Sequence, residues 1–327
     1  MIATSWTRAR AATAVIGVVI AAVLLFYSLR DIDWQQARRV IGGASLPLLT
    51  CSCAFITAAL LLRALRWRIL LNAHGQVGVA TAFWATAAGY FGNNFLPARA
   101  GELVRTFVIS SRATLDAAFV LTTALAERIA DAIVLILISA GVLLMLPAPG
   151  WLGGAARPIA IAALAGAFVI AVVPLLEGAG ARIVARFPLP ERLRSRLLCT
   201  VSHVARGLAS FHNARRLGGF LALTGAIWCL DAAGTIITGI ALGLPISVPA
   251  AFLLIAGLSF GSALPATPGY IGIYQFVAVS VLTPFGFSRS DAIAFILVAQ
   301  VLMYLVVGAW GGGALLTMRT AARSKAR

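Results

Sequence analysis

The sequence predicts an all-α polytopic membrane protein, with about six full transmembrane helices plus two re-entrant helical hairpins in two inverted halves. Composition is the first observation: of 327 residues, 61% are hydrophobic and 11% charged, about half the charged share of a soluble chain. The second is that the apolar residues come in long blocks, and a spanning helix needs about 20 in a row. The third is the charge. The net +16 comes almost wholly from arginine, with Lys325 the only lysine, and the arginines lie between the blocks. A soluble chain with that balance suggests nucleic acid. Here no basic segment alternates with aromatics, and arginines beside apolar blocks face anionic headgroups and set orientation. The expected partners are membrane lipids, with lipid-biosynthesis enzymes as candidate protein partners and no nucleic acid.

The apolar blocks run over 11–29, 46–62, 78–96, 117–146, 158–176, 217–244, 249–264, 270–285 and 292–317. They leave no room for a soluble domain that could hold a conventional active site, so 1–327 reads as a single transmembrane domain. Arg8 and Arg10 precede the first block as in a signal peptide. Tyr27-Ser28-Leu29-Arg30-Asp31 follows it with no small-residue cleavage site, so an uncleaved first helix is expected.

The positive-inside rule orients the chain. Arg8 and Arg10, the run Arg63, Arg66 and Arg68, the connection 177–216 and the tail 319–327 are the strongly basic segments. The connection alone carries eight arginines against two acids. All four segments are expected in the cytoplasm, which puts both termini there; the bacterial inner (plasma) membrane is the expected location. Segments 30–45, 147–157 and 245–248 are poor in net positive charge and read as outside.

Counting crossings between these marks requires 78–96 to enter and return, turning near Asn93-Asn94-Phe95-Leu96-Pro97. The stretch 249–285 must do the same, turning at 265–269. Both turns read L-P-A-x-x-G: Leu96 to Gly101 and Leu264 to Gly269. Pro97, Gly101, Pro265, Pro268 and Gly269 are the expected helix breaks. Each half (about 11–146 and 158–317) then has two crossings, a hairpin and a third crossing, which forces opposite orientation, as in many secondary transporters. In the basic segment 177–216 that joins them, Leu193, Leu197, Val201, Val204, Leu208 and Phe211 recur at helical spacing, reading as an amphipathic helix on the inner leaflet or as an arginine-rich loop.

Irregular backbone at membrane depth is tolerated only where protein or a cavity receives it, so the two breaks predict a midplane cavity. The first carries Asn93, Asn94, Arg99, Glu102 and Arg105. The amides offer donors and acceptors, Arg99 and Arg105 have the forked donors that grip phosphate, and Glu102 can neutralise an arginine when no substrate is present. Glu127, Arg128 and Asp131 interrupt the apolar run 117–146. Intramembrane charge is a functional hypothesis by default, and here it reads as a partner for a hairpin arginine, a proton carrier or a self-compensated ion cluster. Tyr270, Tyr274 and Gln275 follow the second break as cavity lining or an interfacial belt. Asp231 is another intramembrane acid. Gly239-x-x-x-Gly243, Gly257-x-x-x-Gly261 and Gly308-x-x-x-Gly312 read as helix-packing signals.

Cys51, Cys53, Cys199 and Cys229 form no CxxC pair, and His74, His203 and His212 lack metal-ligand spacing. No P-loop, nucleophile elbow or zinc-protease helix is present in the sequence. No cofactor, no metal and no catalytic residue is expected.

Arg63-Ala64-Leu65-Arg66-Trp67, Gly92-Asn93-Asn94-Phe95-Leu96-Pro97-Ala98-Arg99-Ala100-Gly101-Glu102 with Arg105, and Glu127-Arg128 with Asp131 resemble the lysylphosphatidylglycerol synthase transmembrane-region family. Pro265 to Gly272 looks like that family's C-terminal motif. The resemblance implies a flippase-like protein that moves lipid between leaflets. With no synthetase domain before Arg327, aminoacyl transfer is not expected; hopanoid and polyprenyl lipids become candidates beside phospholipids. An acidic residue is common in the family where Gln275 stands, so no charge role follows there. The function read from the sequence is a lipid translocase. The alternatives are a membrane-embedded transferase or hydrolase of a polyprenyl or hopanoid lipid, and a non-transporting accessory of a lipid-biosynthesis complex.

Overall fold

The computed structural model describes residues 17–96, 100–113, 115–145, 213–263 and 268–325. Every regular element among the described residues is helical. In chain order they are α1 (Gly17–Leu29), then α2 (Trp34–Gly42), α3 (Leu46–Leu71), α4 (Val79–Phe95), α5 (Gly101–Ala113), α6 (Ala117–Met145), α7 (Ala214–Ala241), α8 (Val248–Gly261), α9 (Ile273–Leu282) and α10 (Arg289–Lys325). Short 3-10 turns occupy Pro268–Tyr270 and Thr283–Phe285. The start of the first expected helix, the block 158–176, nearly all of the basic segment 177–216, and Pro97, Arg99 and Pro265 lie outside the described residues.

Helix length divides the elements. α3, α7 and the Arg289–Thr317 part of α10 are apolar and 26, 28 and 29 residues long. At 1.5 Å per residue each exceeds the roughly 30 Å hydrocarbon core of a bilayer. α6 has 29 residues but carries Glu127, Arg128 and Asp131 near its middle. The arms beside the two L-P-A-x-x-G turns are shorter, at 17 and 13 residues for α4 and α5 and 14 and 10 for α8 and α9. None reaches about 30 Å alone. Large apolar side chains stand exposed, among them Phe26, Leu46, Phe107, Leu305 and Leu316, a surface suited to lipid rather than water. The chain is a multi-pass membrane protein.

Helix starts follow capping chemistry. Asp33 accepts the backbone N–H of Gln35 and Gln36 at the head of α2. Asp116 accepts that of Phe119 at the head of α6. Ser288 and Asp291 cap α10 reciprocally, each side chain accepting the other's N–H.

The described residues form two compact units that interleave in sequence. One takes its residues from Met1–Leu60, Ala87–Gly101 and Ile227–Arg327, the other from Leu61–Thr86 and Glu102–Ala226. In the first unit, α8 and α9 lie antiparallel. A Cβ at Gly257 would come within 2.8 Å of Val277, and one at Gly261 within 2.7 Å of Ile273. The end of α4 runs antiparallel to α10, with Phe91 against Gly311 and Phe95 against Tyr304. α2 docks on the head of α10 through Gln36, which donates to Ser288 and Asp291. In the second unit α6 runs antiparallel to α3, with Trp67 Nε1 donating to Thr123 and His74 edge-on to Phe119.

The three glycine pairs part company here. Gly257 and Gly261 are the packing seam that was expected. Gly239 and Gly243 instead end α7: Gly243 has φ 71°, and the N–H groups of Leu242 and Leu244 both fold back to Gly239 O. Gly308 and Gly312 have nothing within 4 Å of a built Cβ, while Gly311 between them abuts Phe91. The spacing was right for a close approach, but the face was off by one residue.

Candidate functional site

The residues expected to carry function gather into two groups, one in each unit. The charged group belongs to the second unit and begins with the amphipathicity of α5. Leu103 and Phe107, one turn apart, are exposed, while Arg105 and Ile109 are buried. That turn of the helix carries Glu102 and Arg105 to α6, where Glu127, Arg128 and Asp131 stand.

Arg66, on α3, joins them. Its Nη1 lies 2.5 Å from Asp131 Oδ1 and its Nη2 2.8 Å from Asp131 Oδ2, a two-pronged pairing of the strong kind. Nη2 also reaches Glu127 Oε1 at 2.8 Å, Nη1 donates to Thr224 at 3.1 Å, and the guanidinium lies over the Phe220 ring. Glu127 Oε2 then takes Arg105 Nη1 at 3.0 Å. Arg105 Nε meets Glu102 Oε2 at 2.5 Å, its Nη2 donates to Ala124 O, and its guanidinium stacks over Trp67. Glu102 Oε1 closes the chain on Arg128, at 2.9 Å from Nη2 and 3.0 Å from Nε.

Three arginines and three carboxylates alternate along this network, so its formal charges cancel. Buried charge is costly unless paired and hydrogen-bonded, and this pairing lets six ionisable groups persist among apolar helices. The network is closed in its middle and opens toward its ends, most at Arg128. Arg66, Arg105 and Glu127 are 1–5% exposed, whereas Asp131 is 13%, Glu102 19% and Arg128 32% exposed.

Two expectations need correction. Arg66 was grouped with Arg63 and Arg68 as a mark of the cytoplasmic surface, yet its side chain is consumed by Glu127 and Asp131 and marks no surface. Arg105 was read as a phosphate fork, yet all three of its guanidinium nitrogens already face protein oxygens. A guanidinium has five N–H donors, so these contacts do not use them all, but the side chain is buried. Glu102 pairs with two arginines, Arg105 and Arg128; Glu127 binds Arg105 and Arg66, and Asp131 binds Arg66.

The neutral group belongs to the first unit. Gly101 follows the first turn, and a Cβ there would strike the backbone oxygen of Gly89 and lie 2.7 Å from the Asn93 nitrogen. Only glycine lets the chain reverse so close to α4. Asn94 Nδ2 donates to Tyr90 O at 2.8 Å along its own helix. Pro268 opens the 3-10 turn of the second break, and the backbone leaves helical geometry at Gly269 (φ 75°), Tyr270 (φ 60°) and Gly272 (φ 92°). Tyr270 stacks on Tyr274 with ring centroids 4.9 Å apart, and its hydroxyl donates to Asn93 O at 3.3 Å. Both tyrosines stand at the second break. Gln275 is buried, and accepts Gly272 N–H at 2.7 Å.

Gln300 and Tyr304, which the sequence reading passed over, complete this group from α10. Both donate to Gly269 O, Gln300 at 3.0 Å. Gln300 Oε1 accepts from Gln275 Nε2 at 2.6 Å. Their signal was two polar groups one turn apart inside an apolar block. Asp231, on α7, belongs to the first unit and is half-buried. Among the described residues no cluster of His, Cys, Asp and Glu could hold a metal ion.

Comparison with known proteins fits these groups into a family. The glycosyltransferase AglD of Haloferax volcanii is 24% identical over 301 residues, covering 81% of this chain and 48% of that protein. The chain thus spans about half the length of that relative. No solved structure matches. The family described as lysylphosphatidylglycerol synthase TM region matches residues 14–311, a span that takes in both breaks and all six members of the ionic network, and the chain belongs to that family.

Proposed function

We propose that the protein is a lipid translocase, which moves a lipid with an anionic headgroup between leaflets of the bacterial inner membrane and has both termini in the cytoplasm. The observation that carries this reading is the charge-balanced ionic network on α3, α5 and α6. A purely structural ion cluster has no reason to keep an exposed end, since replacing buried pairs by apolar residues is often neutral or stabilising. At the open end an incoming phosphate takes the place of Glu102 on Arg128, while Arg105 retains Glu102. Because Glu102 stays on Arg105, the incoming phosphate adds negative charge to a neutral network, at the end where Arg128 is partly exposed. Arg99, three residues before Glu102 in the sequence, is a further candidate cation for an anionic headgroup.

The short arms support the reading. α4, α5, α8 and α9 are each too short to cross singly, which suits re-entrant segments in two inverted halves. Irregular backbone between such arms is where transporters hold their cargo. No catalytic step is assigned to any residue. Phospholipid and isoprenoid or hopanoid-type lipids are the candidate cargoes.

A second reading is a membrane-embedded transferase or hydrolase of a polyprenyl or hopanoid lipid. The relative named a glycosyltransferase favours it, although this chain corresponds to about half of that protein. Lipid analysis of a deletion strain separates the two. A translocase leaves every lipid made but held in the wrong leaflet; an enzyme leaves one compound missing and its precursor accumulated. Loss of a compound with leaflet distribution unchanged would overturn the translocase.

A further inference from the structure

We infer that Arg68, in the last turn of α3, and Arg216, in the first turn of α7, form a phosphate-binding site of their own. The ligand is the phosphate of a lipid headgroup or of a soluble phosphate ester. Both arginines belong to the second unit. The site does not depend on the translocase reading, since a protein that binds such a ligand for any purpose can use it.

α3 ends at Leu71, and Asn72 closes the turn that follows, its Oδ1 accepting the Val77 N–H at 2.8 Å. An arginine is tied to each end of this turn. Arg68 Nε donates to Val77 O at 2.6 Å, and Arg216 Nη2 donates to Asn72 O at 3.4 Å. Both acceptors are neutral carbonyls. A guanidinium carries five N–H donors, so each side chain keeps most of its donors and all of its charge. Both are half-buried, and neither meets a carboxylate among the described residues. Arginines that only mark a membrane surface extend toward water; these two are drawn to one turn.

Two like charges held on one turn repel, and their surroundings add to the cost. Asn213 caps α7 by accepting the Arg216 N–H. Arg215 and Arg216 therefore stand in the first turn of that helix, where its dipole disfavours cations, and no acid stands with them. The head of α6 packs on the same turn, Leu115 against Gly75 and Phe119 edge-on to His74. Its acid, Asp116, accepts the Phe119 N–H. The carbonyls hold the arginines in place without offsetting their charge. A phosphate offsets both and matches their forked donors. Leu217 and Leu221 follow on α7, 37% and 50% exposed, an apolar surface for lipid chains. The ionic network is distinct: its contacts on α7 are Phe220 and Thr224, about 6 and 12 Å further along the helix from Arg216.

Native mass spectrometry of the intact protein tests this, with phosphatidylglycerol as the probe and diacylglycerol of the same chains as the phosphate-free control. Arg68→Gln and Arg216→Gln should each weaken phosphatidylglycerol binding about tenfold or more, and leave diacylglycerol as it was. Arg216→Lys keeps the charge without the fork; it should bind between wild type and Arg216→Gln, and serves if the glutamine variants do not fold. Arg112→Gln, exposed in the last turn of α5, should bind as the wild type does. Excess glycerol 3-phosphate separates the two sources. Release of the bound lipid keeps the site and makes the phosphate alone its ligand; retention keeps the site and makes the chains part of the ligand. Phosphatidylglycerol held equally by the wild type and both glutamine variants, or lost equally in Arg112→Gln, would overturn the site. Lipid movement is measured separately on the same samples. Binding that needs both arginines, in a protein that moves no lipid, would keep this inference and remove the translocase.

Discussion

Arg66 and Asp131 meet fork to fork, two nitrogens on two oxygens at 2.5 and 2.8 Å, although 65 residues separate them in the chain. The same guanidinium holds Glu127, so one arginine pairs with two carboxylates on successive turns of α6. Its removal therefore does more than delete a contact. Arg66→Met strands buried negative charge and should cost about 3–5 kcal/mol, read as a lowered melting temperature in detergent. Arg66→Lys keeps the charge without the fork and should fall between that variant and the wild type. Arg66→Met combined with Asp131→Leu should recover part of the loss; no recovery would mean Asp131 is not the principal partner.

The open end of the network should behave differently. Arg128 is 32% exposed, and a partly solvated pair contributes about 0–1 kcal/mol. Arg128→Ala is expected to melt within a few degrees of the wild type while slowing lipid movement at least tenfold. Equal losses of stability and transport would return Arg128 to a structural role.

Glycine positions give a contrast within one helix class. Gly257→Leu drives side-chain atoms into Val277, and overpacking of this kind costs about 1–3 kcal/mol. Gly308→Ala meets nothing within 4 Å and should be neutral or stabilising by up to about 1 kcal/mol. Thermal denaturation of the two variants side by side checks the assignment of the seam.

Gly101→Ala should be worse than either. The added methyl would meet the Gly89 carbonyl and the Asn93 backbone, neither of which can rotate away as a side chain can. The expected result is loss of monodisperse protein on size exclusion. The same change at Gly225, which has open space around it, should leave the profile unaltered.

Much of the fold was legible because hydrophobic length is a one-dimensional property. α3, α7 and α10 follow from apolar runs, and both helix breaks follow from proline and glycine at matched spacing. The partners of Arg66 were not legible. Arg63, Arg66 and Arg68 look alike on a sequence, and what sets Arg66 apart is two carboxylates 61 and 65 residues away. Gln300 and Tyr304 escaped for a related reason: an uncharged polar residue barely disturbs a hydropathy pattern, and its worth depends on a broken carbonyl in another element. The Gly308–Gly312 pair misled because spacing fixes a helical face only to within one residue, and Phe91 packs on Gly311 instead.

Transbilayer movement in proteoliposomes tests the central claim most directly. Labelled phospholipid, hopanoid and polyprenyl-phosphate probes would be followed in vesicles carrying the wild-type protein, Arg128→Ala or Arg99→Ala. Translocation through exchange at the ionic network predicts that the wild type speeds the movement of at least one anionic probe and that both variants lose the gain. Wild-type protein that is folded, correctly inserted and without effect on every probe would contradict it.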